Sequence, residues 1–99
     1  MYNRKPTHPG AILREDVLPE LQMTVTAFAQ HLGFSRETMS RILNEKAPVS
    51  VNLAYRLEQA GISTAKLWLN LQCAYDIWEI KHSPTQFEVK PLRDVALAL

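Results

Sequence analysis

Residues 25–44, VTAFAQHLGFSRETMSRILN, decide how this chain folds. Val25, Phe28, Ala29 and Leu32 recur at the i, i+3, i+4, i+7 spacing of one helical face, and Thr24 stands before them as an N-cap whose side-chain oxygen can accept from the first free N–H groups. Gly33 follows, and glycine tolerates the left-handed conformation that closes a helix. Ser35 is again a good cap, and Met39, Ile42 and Leu43 return to one side of a second helix over Arg36 to Asn44. The spacing therefore predicts two helices joined by a tight turn. Ala29 is small enough to let them cross closely, and Met39 with Ile42 locks the second onto the first.

The face left outward carries Arg36, Glu37, Thr38, Ser40, Arg41 and Asn44. Arginine matches the paired acceptors of a guanine edge, and the N-terminal half of such a helix is the part that enters a major groove. Thr24, Ser35, Asn44, Lys46 and the helix-start N–H groups suit phosphates. Ser35 serves first as a cap, a role compatible with donating to phosphate. Glu37 has two readings, accepting from a cytosine amine or pairing with Arg41 one turn on.

Outward from this block, His8-Pro9-Gly10 opens a first helix with Pro9 near N1, Leu13 and Val17 share a face, and Pro19 is expected to end it. Ala47-Pro48 breaks the chain after the central pair. Ser50 caps a fourth helix with Val51, Leu53, Ala54, Leu57 and Ala60 inward and Arg56, Glu58 and Gln59 mostly outward, closed by Gly61. A fifth and longest helix, capped by Ser63 or Thr64, runs to about Lys81. It carries two apolar stripes, one of Leu67, Trp68, Leu71, Ala74, Tyr75 and Trp78, the other of Leu69, Cys73, Ile77 and Ile80. A small domain has one face of such a helix to give to its own core, so the second suggests a homodimer, with Trp68, Leu71, Tyr75 and Trp78 the candidate contacts. The competing reading is that residues 83–99 fold back over it. Cys73 is expected to be a buried small hydrophobe.

With 99 residues, 46% hydrophobic and 21% charged, the chain suffices for one core. Residues 1–7, with Arg4 and Lys5, read as a basic arm, 8–81 as the folded domain and 82–99 as a tail of undecided structure. No apolar run approaches the ~20 residues of a membrane span, so a cytoplasmic protein is expected. One cysteine permits no internal disulfide, and three scattered histidines make no metal set. His8 beside Glu15 and Asp16 lacks a third partner, and no nucleophile, base and orienting group appear together, so neither an enzyme nor a cofactor is expected. Eleven Lys and Arg against ten Asp and Glu give a net charge of +1, and any grip on DNA must come from local placement rather than bulk charge. The acidic group Glu15, Asp16 and Glu20 could meet a cationic protein.

Residues 25–44 resemble the helix-turn-helix of the Xre/Cro repressors of bacteria and phages. More narrowly, HPGAILREDVL (8–18), SRETMSRILNEKAPVS (35–50) and LAYRLEQAGISTAKLWLNLQCAYDIWE (53–79), in that order, resemble the HigA antitoxins, also called virulence-associated protein I. The resemblance covers residues 7–80. It implies an all-α, five-helix, lambda-repressor-like DNA-binding domain with a long C-terminal dimerisation helix. It further implies a dimeric repressor of its own operon that binds and neutralises a HigB-like toxin, a ribosome-dependent mRNA interferase. Ala11 stands where an acidic residue often follows the HPG, and the outward residues of 36–44 are this chain's own. A free-standing repressor without a toxin is the alternative.

Overall fold

The computed structural model describes residues 4–85 and 87–93, and over these the chain is all-helical. Five helices follow one another. The first, α1, is one continuous run made of Pro9–Ile12, a π-helical turn Leu13–Val17 and Leu18–Leu21. Then come α2 (Val25–Leu32), α3 (Arg36–Leu43), α4 (Val51–Gln59) and α5 (Ala65–Lys81).

Each start is fixed by the residue type the sequence offers. The hydroxyls of Thr24, Ser35, Ser50 and Thr64 accept from the backbone N–H three residues on, at 3.1 Å in all four cases. His8 does the same for α1 through its ring, Nδ1 accepting from the Gly10 N–H at 2.9 Å. Gly33 closes α2 at φ 80°.

Pro19 does not end α1, contrary to the expectation from sequence. The Leu18 N–H donates to the carbonyl of Leu13, five residues back, so the helix widens just before the ring arrives and continues to Leu21. The wider turn also carries both Leu13 and Leu18 into the core, where a regular α-helix would hold residues five apart well off one face.

Leu13, Phe28, Met39, Leu53 and Leu57 are the largest leucine, methionine and aromatic side chains wholly removed from solvent, and Ile42, Leu43, Val49, Ala54 and Trp68 pack with them. The core thus draws on all five helices. Packing α1 this closely on α3 requires Gly10, because a Cβ there would fall on the Ile42 carbonyl oxygen.

The long helix does not keep its two stripes apart: Trp68, Leu69 and Leu71 pack on the core, whereas Leu67 and Ala74 of the first stripe are exposed. Trp68 is only 3% exposed and its indole N–H donates to the Ile62 carbonyl at 2.7 Å. Leu71, Tyr75 and Trp78 are half-buried within the chain itself, Tyr75 edge-on to His8 and Trp78 stacked on His82. Trp68 therefore has no surface left for a partner, which corrects its place among the candidate dimer contacts. Ile77 and Ile80, at 49% and 62%, stay exposed, and so does Cys73, which corrects the expectation that this thiol is buried. Phe87, Val89 and Leu92 are exposed too, so residues 87–93 do not cover this stripe. Val95, Leu97 and Leu99, the other apolar positions of the tail, lie outside the described residues, as do residues 1–3 of the arm. Lys5 of the arm is held on α5, its ammonium 3.0 Å from Glu79 and over the rings of Tyr75 and Trp78.

Candidate nucleic-acid interface

The helix α3 buries Met39, Ile42 and Leu43 and turns its remaining residues outward. Arg36, Glu37, Thr38, Arg41 and Asn44 are exposed and Ser40 is partly so, which gathers the outward set on one side of a single short helix. Thr24 at the start of α2 and Ser35 at the start of α3 are also exposed, as is Lys46 beyond the end of α3.

Hydrogen bonding divides these residues. Ser35 accepts from the Thr38 N–H and donates its own hydroxyl proton to Thr38 Oγ1 at 2.8 Å, so the two form one small cap. Asn44 donates to the Ser40 carbonyl at 2.9 Å, closing the C-terminal turn. Arg41 donates from Nη2 to the Lys46 carbonyl at 3.2 Å while its own carbonyl accepts from the Lys46 N–H, and this tie folds the post-helix loop against α3. Arg41 thus reaches forward to the loop. Among the described residues the ion pairs are Lys5 with Glu79 and Arg14 with Glu15 and Glu45, so the Glu37–Arg41 pair weighed from sequence is not formed. Arg36 and Glu37, near the N-terminal end of α3, keep donors and acceptors free for another molecule.

Two further arginines belong to this region and were not singled out from sequence. Arg56 of α4 donates from Nη1 to the carbonyls of Leu32 (2.8 Å) and Gly33 (3.3 Å) at the end of α2, and its guanidinium lies 5.0 Å from the Phe34 ring. Arg14 of α1 donates from Nη1 to the carbonyl of Leu43, the last residue of α3, at 2.6 Å. Both contacts join residues more than twenty positions apart, which helical periodicity cannot reveal.

His8 is the titratable group most affected by the fold. Burial lowers its pKa from the ordinary value, against a smaller upward pull from Glu45 and Asp76, and Lys5 adds to the lowering. A neutral ring suits its task, since Nδ1 must accept the Gly10 N–H. Among the described residues, no three His, Cys, Asp or Glu side chains come together as a metal would need, and no helix is long and apolar enough to cross a membrane.

Two crossed helices, a glycine turn and a polar outer face carried on a five-helix frame define a helix-turn-helix regulator. No family profile matches the chain. It is similar to an uncharacterised HTH-type transcriptional regulator of Haemophilus influenzae, 36% identical over 83 residues, spanning 84% of this chain and 78% of that protein. It is also 33% identical to antitoxin HigA-1 of Vibrio cholerae over 82 residues, 80% of this chain and 74% of that one. Among solved structures, the antitoxin HigA of Pseudomonas aeruginosa with the higBA promoter superposes with a TM-score of 0.75 at 32% identity, over 89% of this chain and 99% of that one. The chain belongs to the HigA antitoxin family of helix-turn-helix regulators. This is a family of regulators and not of enzymes.

Proposed function

We propose that the protein is the antitoxin of a HigBA-like module, a homodimer that represses its own operon by binding a pseudo-palindromic operator and that neutralises an mRNA interferase. The observation that carries the DNA half is the free pair Arg36 and Glu37 at the N-terminal end of α3, presented by a fold similar to that of a HigA solved with its promoter. Arg36 reads a guanine edge and Glu37 accepts from a cytosine amine, while Thr24, Ser35, Thr38, Ser40, Asn44, Lys46 and the Arg41 loop line the phosphates.

A chain of net charge +1 gains little from non-specific attraction. Two linked half-site contacts supply the affinity instead, since binding of one raises the effective concentration of the other. The exposed stripe of Cys73, Ile77 and Ile80 on α5 is the face we assign to the partner subunit. The toxin assignment is supported by family membership and by the exposed carboxylates Glu15, Asp16 and Glu20, which complement a cationic RNA-cutting protein.

The test is to purify the protein from its host, identify what accompanies it, and titrate it against DNA from upstream of its own gene. A small basic protein encoded next door and nanomolar operator binding are expected. Arg36→Ala should cost about 1–3 kcal/mol and relax sequence choice at one base pair, whereas Lys46→Ala should weaken all DNA alike and lower the salt slope by about one. Operator binding with no accompanying protein would leave a free-standing repressor; absence of binding would remove the repressor reading.

A further inference from the structure

We propose that Arg14 and Arg56 are positioning residues for the reading helix, holding it from its two ends so that operator affinity depends on them although neither touches DNA. The proposal rests on α3 being the element that reads DNA.

The geometry is a pair of brackets. At the entry to α3, Arg56 reaches from α4 to the carbonyls of Leu32 and Gly33 and lies over Phe34, so three successive residues of the turn are fixed by one guanidinium. At the exit, Arg14 reaches from the π turn of α1 to the Leu43 carbonyl through Nη1, which also lies 3.5 Å from the Glu45 carboxylate, while Nε lies 3.4 Å from that of Glu15. Both cations meet helix C-terminal carbonyls, where unpaired acceptors and the negative end of the dipole favour them. Gly33 leaves the room this needs, because a Cβ there would come within 2.5 Å of Arg56 Nη1.

Pairing a side chain with a base edge demands an orientation held to about 10–20°, whereas attraction to phosphate tolerates far more. Loosening either bracket therefore lowers operator affinity and leaves non-specific affinity in place. Lysine is the informative substitute, since it keeps the charge but lacks the planar guanidinium that lies over Phe34 in Arg56 and the second nitrogen through which Arg14 meets Glu15.

The experiment uses the full chain carrying Arg14→Lys or Arg56→Lys, with active concentration set by stoichiometric titration. Operator and unrelated DNA are titrated over a range of salt. Loss of a charged hydrogen bond's worth of alignment predicts about tenfold weaker operator binding, unrelated DNA within twofold, and an unchanged salt slope. Amide exchange of the DNA-free protein is the second arm, and it stands whether or not an operator is found. Exchange over Arg36–Leu43 should quicken about tenfold while the buried turns of Ala65–Lys81 keep their protection. Equal weakening on both DNAs with a slope lower by one would make these arginines phosphate contacts. Unaltered exchange in α3 would likewise overturn the proposal, as would unaltered operator affinity.

Discussion

Gln72 is one of the residues through which the long helix grips the rest of the domain, and replacing it by leucine tests its share. Its side chain is 6% exposed, and Oε1 accepts from the Val49 N–H at 2.8 Å; Val49 itself is 2% exposed. Leucine matches glutamine closely in volume, so little cavity forms and the loss is concentrated on one buried N–H that water cannot reach. An abandoned buried donor costs about 1–3 kcal/mol. The second bond, from Nε2 to Asp76 at 2.9 Å, ends on an exposed carboxylate that water can serve, and it adds little. A destabilisation of about 2 kcal/mol in a domain of this size lowers Tm by roughly 8–16 °C. Far-UV circular dichroism melts at fixed pH, backed by the urea midpoint, measure it. A Gln72→Leu protein melting within 2 °C of the parent would show that the Val49 N–H finds another acceptor, and the bond would then be incidental to the fold.

Two other outcomes follow from buried contacts of the same helix. His8 has a lowered pKa, so the unfolded chain takes up a proton first as pH falls: the stabilisation is complete above about pH 6.5 and is lost progressively toward the folded-state value. Melting between pH 7.5 and 5 should show this slope, and His8→Asn, which keeps an N-cap acceptor but cannot titrate, should flatten it; an equal slope in both would assign the effect elsewhere. Trp68→Phe removes the N–H that serves the Ile62 carbonyl and should lower stability by about 1–2 kcal/mol while sedimentation shows the parent's oligomeric state. A stable variant that dissociates would restore Trp68 to the interface.

The local signals in the sequence were legible because they are short-ranged. Thr24, Ser35, Ser50 and Thr64 each cap the helix they precede, and Met39 and Ile42 lie inward as their spacing requires. The outward face of Arg36 to Asn44 was legible for the same reason. What stayed hidden depends on contacts between distant residues. Arg56 reads as a mostly outward residue and Gln72 carries no signal of its own, yet one ends on the Gly33 turn and the other on Val49, both more than twenty residues away. Likewise, nothing within 65–81 says that Trp68, Leu69 and Leu71 meet the core while Leu67, Ile77 and Ile80 stay outside. The partners that Trp68 and Gln72 find, the Ile62 carbonyl and the Val49 N–H, lie outside that segment.

The π turn of α1 has a consequence for length rather than for shape. Leu13 and Leu18 face the core five residues apart, and four residues is the interval at which an ordinary α-helix brings two side chains to nearly the same bearing. The segment 14–17 thus holds one residue more than the path requires. A chain shortened by one position there regains regular helical phase with both leucines still inward, while a chain lengthened by one loses it. Here the domain has slack in one direction, at the residues that carry Arg14 to the end of the reading helix and turn Glu15 and Asp16 to solvent.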